Sequence, residues 1–325
     1  MRRAVLSWVA IGVLFSIALV LSVAALNADV YSARGFVRSY LDALARQDAA
    51  AALAMPGVQP ASGPTDLLTA PAMSPIGAIA LVTDIAADDG SHSITFDVAL
   101  GEGAADGPGA GTARTEFHVQ PSAARFGVFA NWRFSTPPLA TLTVSAIGAD
   151  AVSVNRAQID TSPAGAHLVF VPGLYVLDHE SVWLEASEIP VRVSEPGSTP
   201  DATVDVTANA ALVDAVQQDI DTTLDACAQQ GVLMPTGCPF GRAVTDRVDG
   251  DVTWTIDRYP RVTLAPGERV GEWTATAAQG RAALSVPVQE LFTGDESTLT
   301  DTVSISAEYG ILIADSGSVT VGAAQ

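Results

Sequence analysis

A chain of 325 residues with 48% hydrophobic and only 16% charged side chains has room for two or three cores at roughly 100–200 residues per domain, which excludes both a single small module and a disordered chain. Its 36 acidic and 16 basic residues leave a formal net charge of −20, a field that repels phosphate backbones and argues for no nucleic acid partner. All sixteen basic residues are arginine, so the phosphate-loop lysine, Ser-x-x-Lys acyl transfer and Schiff-base catalysis are excluded.

In chain order the first feature is Ala4 to Leu26, 23 positions without a charge. At about 1.5 Å per residue this run crosses a hydrocarbon core about 30 Å thick. Arg2 and Arg3 precede it and Asn27 and Asp29 follow, so the positive-inside rule predicts a cytoplasmic N-terminus with everything beyond Asn27 outside. Ser22-Val23-Ala24 offers a small-x-small cleavage site, and a removed signal peptide is the competing reading. The apolar run exceeds the roughly 7–15 residues of a signal-peptide core, which favours an uncleaved anchor in the plasma membrane through residues 4–26. Without Arg2 and Arg3 the exported part carries 14 basic against 36 acidic side chains, a net of −22.

Turn formers divide the exported part. Thr136-Pro137-Pro138 and the run Ser194 to Pro200 read as linkers. The expected organisation is a cytoplasmic stub and transmembrane anchor over 1–29, an α+β domain over 30–138, a small β-module over 139–193, a linker at 194–200 and a second α+β domain over 201–325.

In the first domain Phe36, Tyr40 and Leu44 recur at i, i+4, i+8 with Val37 and Leu41 beside them, a core-facing helical stripe. Asp48 is placed to cap a short helix from Ala49 to Met55, stopped by Pro56-Gly57. Strand patterns follow at Ala80–Ile85, Ser93–Leu100, Thr112–Val119 and Phe126–Phe134, with Gly101 to Gly111 as a hairpin loop. The middle segment holds Thr141–Val144, Leu168–Val171 and Leu174–Val176, too strand-like for a helix layer. The last segment repeats helix then strands: Leu212, Val216, Ile220 and Leu224 at i+4 spacing, Cys227 on the same face and Gly231 as a stop. Strand patterns at Val252–Leu264, Trp273–Ala278, Ala282–Phe292 and Thr302–Ile313 follow, with Val319–Val321 as a continuation.

Certain of these runs are familiar. Val37 to Asp48, with Asn131-Trp132-Arg133-Phe134, resembles the cystatin-like and NTF2-like domains of bacterial envelope proteins, and the helix-then-strands order of the last segment resembles them again. Val171-Pro172-Gly173-Leu174-Tyr175 is similar to the strand turn of PEGA-type β-modules. Cys227-x10-Cys238-Pro239-Phe240 resembles a stretch in single-pass envelope proteins of Actinobacteria with no assigned activity. The resemblance implies two helix-plus-antiparallel-sheet domains flanking a PEGA-like module, each sheet curved around its helices and in some relatives enclosing a pocket.

Candidate sites are few. Cys227 and Cys238 are the only cysteines, and on the exported side at a helix end and in the loop after it they fit a disulfide; zinc would need two further ligands and a redox pair the Cys-x-x-Cys spacing. His92, His118, His167 and His179 are scattered. His179, in Asp178-His179-Glu180, resembles half a metal site but reads as a solvated loop residue, since no second histidine stands at helical spacing. Asp246, Asp249 and Asp251 read as a turn rather than a calcium loop, and Asp295-Glu296 as a hairpin tip. No Gly-x-Ser-x-Gly elbow and no triad are legible. The expectation is a non-enzymatic, cofactor-free scaffold or partner-binding protein of the envelope, whose partner is an unknown envelope protein or ligand. The alternative is a small-ligand binder or enzyme using an NTF2-like pocket, which would need an enclosed Asp, Glu or His.

Overall fold

In a computed structural model of the chain the described residues are 2–59, 62–101, 109–125, 129–161, 165–314 and 316–323. Over these the protein is mixed α+β, with extensive antiparallel sheets, and it divides into two compact units. Unit 1 comprises Met1–Ser145, Ala151–Asp178 and Glu188–Val204, and unit 2 comprises Ala146–Asp150, His179–Ser187 and Asp205–Gln325.

Three helices open the chain: α1 (Arg2–Ala28), α2 (Ala33–Ala45) and α3 (Ala49–Leu53). At about 1.5 Å per residue α1 is about 40 Å long. From Val13 to Leu26 its described side chains are largely exposed, Leu14 at 66% and Phe15 at 73%. Its end is tied to unit 1, because the Asn27 side chain accepts from the amide of Ala130 at 3.0 Å and Tyr31 stacks on Phe129 with ring centres 4.6 Å apart. Over the continuously described part of α1, Val13–Ala28, and the other described helices, no single helix is long and apolar enough to cross a membrane; Val13–Ala28 and Ala33–Ala45, bent by 57°, pass that test together. The second half of that pair is committed elsewhere, since Val37, Tyr40, Leu41 and Leu44 of α2 are buried in the unit 1 core.

Ser32 caps α2 by accepting from the amide of Gly35 at 3.1 Å, and Asp48 caps α3 by accepting from Ala51 at 2.9 Å. The strands that follow are β1 (Ile76–Ala86), β2 (His92–Leu100), β3 (Gly111–Arg125) and β4 (Phe129–Phe134), an antiparallel sheet in chain order. Of the expected loop from Gly101 to Gly111, residues 102–108 lie outside the described residues, as do 126–128 at the start of the fourth expected strand. Strict alternation on β2 turns Ile94, Phe96, Val98 and Leu100 inward, where the α2 stripe covers them. Tyr40 fills the centre, edge-on to Phe134 and Phe117 at 5.3 and 6.1 Å.

Seven more strands complete unit 1 or leave it: β5 (Leu139–Ile147), β6 (Ala151–Val154), β7 (Ala157–Asp160), β8 (Gly165–Phe170), β9 (Gly173–Glu180), β10 (Leu184–Val193) and β11 (Asp201–Asp205). β5 lies between β8 and β11, while β6 pairs with β7 and β9. The expected β-module over 139–193 is therefore not a separate body. Leu139, Phe170 and Leu174 join the same core as α2, and the Tyr40 hydroxyl lies 3.0 Å from the carbonyl oxygens of both Pro138 and Val171. The expected linker at 194–200 is likewise fixed along β5: Gly197 donates to Leu139, while Ser198 and Pro200 accept from Thr141 and Thr143. Turn-forming composition marked a change of direction there rather than a free spacer.

Unit 2 adds β12 (Thr207–Ala208), α4 (Ala210–Ala228), β13 (Arg247–Val248), β14 (Thr253–Arg258), β15 (Arg261–Pro266), β16 (Glu272–Gln289), β17 (Glu296–Ile313) and β18 (Val319–Ala323). Asn209 caps α4 by accepting from Leu212 at 3.1 Å. Leu212, Val216, Ile220, Leu224 and Cys227 then face the sheet, where Ala275, Ala277 and Ala282 leave room for the helix. Strand boundaries differ from the pattern in the sequence: β16 ends at Gln289, β17 begins already at Glu296, and two breaks are placed differently. The run Val252–Leu264 breaks at Tyr259-Pro260 into β14 and β15, while Trp273–Ala278 and Ala282–Phe292, expected as two strands, join through Gly280 into the continuous β16. β16 pairs with β15 along its first part and β14 along its second, and Gly280 sits where the two meet. A Cβ at Gly280 would lie 2.9 Å from Cβ of Ile305 and 3.0 Å from the Pro260 ring. Gly280→Ala is expected to cost about 1–3 kcal/mol by overpacking this junction, measured by urea unfolding; an unchanged midpoint would show that the junction yields.

Candidate functional site

Cys227 occupies the last turn of α4 and Cys238 the loop beyond, and the two form a disulfide with Cα atoms 5.9 Å apart. The bond consumes both thiols, so neither zinc ligation nor dithiol redox chemistry starts from this state. The loop that it closes is fixed from within. The Gln230 side chain accepts from the amide of Thr236 at 2.8 Å and donates back to its carbonyl at 3.1 Å. Trp254 of β14 donates its indole N–H to Val232 at 2.9 Å and packs against Phe240 with ring centres 5.0 Å apart. Arg242 reaches Asp301 of β17 at 2.8 Å, which fastens the outgoing chain to the sheet. This arrangement builds a rigid surface on unit 2 with Met234 exposed at its tip; it supplies no reacting group.

The histidines do not converge. His167 of β8 is 6% exposed, and its Nδ1 lies 2.7 Å from Asp66 Oδ2. That is the imidazole–carboxylate half of a triad, but among the described residues Nε2 meets no hydrogen-bond partner, and a Cβ on Gly165 would lie 2.7 Å from it. His92 opens β2, where its Nδ1 lies 2.6 Å from Asp84 and its ring stands edge-on to Trp132. His118 is exposed on β3 near Glu116. His179 lies part-buried within β9 rather than in the solvated loop expected for it, because the strand runs on through Glu180. Asp246, Asp249 and Asp251 surround β13 and the turn after it, where Asp249 donates its amide to Pro287. Among the described residues no three His, Cys, Asp or Glu side chains cluster as metal ligands.

At the hairpin tip Asp295 and Glu290 are both held by Thr293, whose amide and hydroxyl hydrogen bonds keep the Glu290 carboxyl below its usual range.

Among the described residues the core beneath α2 is packed by Tyr40, Phe117 and Phe134. Beneath α2 lies a space of roughly 10 Å³ bounded by Leu44, Met73, Ser74, Ile76, Phe170, Pro172, Gly173 and Tyr175, enough for about one water and no substrate. No Asp, Glu or His lines it. The buried ionisable groups beside it are phenols. Burial pushes the Tyr40 hydroxyl well above its ordinary value, with Tyr175 nearby adding to the shift, and burial does the same to Tyr175, which donates to Phe170 at 2.8 Å.

One charged feature escaped the sequence reading. Arg258 at the end of β14 stands directly opposite Arg281 of β16, and both line an open groove of roughly 610 Å³ with Gln279, Gly280, Thr302 and Ser304. Two arginines 23 positions apart in sequence carry no local signal; pairing of β14 with the distal half of β16 brings them together. No family model, curated protein or solved structure matches the chain.

Proposed function

We propose that the protein is a single-pass, membrane-anchored scaffold or partner-binding protein of the bacterial cell envelope, non-enzymatic, with its N-terminus in the cytoplasm and the chain beyond Asn27 outside. The resemblance to actinobacterial envelope proteins stands behind this reading. The observation that carries it is α1, whose charge-free apolar run is largely exposed over the described side chains from Val13 to Leu26, while the adjoining α2 is committed to a core. An aqueous setting penalises such a helix at every turn, whereas hydrocarbon satisfies it. The disulfide adds that unit 2 matures in an oxidising compartment. The pocket-based alternative, an enzyme or small-ligand binder with an NTF2-like cavity, has against it a unit 1 interior filled by Tyr40, Phe117 and Phe134.

The test is extraction. Expressed in a bacterial host, the full chain is expected to stay with the membrane pellet in alkaline carbonate, to dissolve in detergent, and to keep residues 4–26 by intact mass. A soluble product that begins near Ala25 would establish the cleaved-signal reading instead.

A further inference from the structure

The juxtaposition of Arg258 and Arg281 is costly by itself. Like charges directly opposite on neighbouring strands destabilise a sheet, and this chain had 36 carboxylates with which to neutralise sixteen arginines. Arg38, Arg114, Arg242 and Arg269 are each paired with a carboxylate. Arg258 and Arg281 meet no carboxylate among the described residues, and none lines their groove.

The backbone around the pair is irregular on both strands. β14 carries an extra residue between Ile256 and Arg258, and β16 carries one between Ala277 and Gly280, where Gln279 adopts φ of 65°. A left-handed glutamine costs of order 1–3 kcal/mol and persists where its surroundings dictate it, and bulges re-aim the side chains beside them. Together the two bulges bring Arg258 into register with Arg281 and set Gln279 on the rim of the same groove. The opposite wall supplies two hydroxyls, Thr302 and Ser304 of β17, with Ser304 directly across from Arg281.

We infer that this groove binds a single oxyanion, the carboxylate or phosphate group of a small molecule or sugar, held between the Arg258 and Arg281 guanidinium groups and hydrogen-bonded by Thr302, Ser304 and Gln279. Guanidinium groups offer the planar donor forks that match carboxylate and phosphate oxygens, and hydroxyl and amide donors complete the coordination. The net charge of −20 selects against a polyanion, because every further negative group outside the groove meets repulsion. This inference rests on unit 2 alone and not on the anchoring of the chain.

The experiment uses the full chain in an uncharged detergent, with equilibrium dialysis against radiolabelled inorganic phosphate and, separately, glucuronate, with glucose as the uncharged control. The expected result is one saturable site per chain for at least one of the two anions, none for glucose, and affinity lowered at least about tenfold in the R258Q/R281Q double variant. Arg247→Gln, an exposed arginine elsewhere in unit 2, should bind like the parent. Saturation by phosphate alone identifies a phosphate ligand, and by glucuronate alone a carboxylate. Without ligand, in chloride, the double variant should melt at or above the parent, since a repulsion has been removed. Binding unchanged in the double variant, no saturation with either anion, or a double variant that melts below the parent in chloride would each overturn the inference.

Discussion

Above pH 10 the protein is expected to lose stability steeply, with tyrosine as the only side chain responsible. The chain has no lysine, and both cysteines are in the disulfide. Phenols are therefore the side chains that titrate between about pH 8 and 12. Tyr40 and Tyr175 are wholly buried, and desolvation raises both above their ordinary value; the Tyr259 phenol is raised by its hydrogen bond to Asp225 and Tyr309 by burial. A raised value in the folded state means that the unfolded chain gives up its protons first. The stabilisation is complete below the unfolded value near 10 and is lost as pH climbs above it toward the folded values. By about pH 11, Tyr40 and Tyr175 together should remove about 2.8 kcal/mol, one pH unit for each phenol at about 1.4 kcal/mol. Urea unfolding at pH 8, 10 and 11 measures this. Tyr40→Phe should be about 1–2 kcal/mol less stable at pH 8, because buried carbonyls lose their donor, yet it should decline less with pH than the parent. Constant stability to pH 11, or phenol ionisation in a fully folded protein, would contradict the burial described for these rings.

Loss of the disulfide has the other large effect. Cys227 and Cys238 lie 11 positions apart, a loop whose closure contributes about 3 kcal/mol by the chain-entropy estimate. Replacing both by serine should lower the unfolding free energy of unit 2 by about 2–4 kcal/mol. The effect should be local first: amide exchange should accelerate in the loop 229–242 while α2 and β1–β4 of unit 1 keep their protection. An unchanged midpoint, or exchange that accelerates equally in both units, would mean that the Gln230–Thr236 and Trp254–Val232 contacts hold the loop without the bond.

What the sequence disclosed depended on how local the governing physics was. The stripes of α2 and α4 and the Asp48 cap are set within a few residues, so spacing alone revealed them. The alternation of β2 was legible for the same reason. Trp273–Ala278 and Ala282–Phe292 were expected as separate strands although Gly280 carries one strand through; what requires glycine there, Pro260 and Ile305 occupying the space a Cβ would need, comes from chain segments about 20 positions away on either side. Pro260 was passed over inside the expected Val252–Leu264 strand, although β14 stops at Arg258, two residues before it. The β-module seemed separable on composition, but Tyr40 bonds to residues 98 and 131 positions distant, a long-range closure that no window contains. The candidate site divides along the same line. Two cysteines near a helix end announce their bond, whereas Arg258 and Arg281 become a pair only through strand register.

The most direct measurement of the central claim is protease accessibility in intact spheroplasts that express the full chain. A non-specific protease added from outside is expected to degrade the chain beyond Asn27 and leave only a membrane-embedded fragment containing residues 4–26, with a cytoplasmic control protein untouched. Full-length chain that survives until detergent is added would place the chain beyond Asn27 inside and contradict the account.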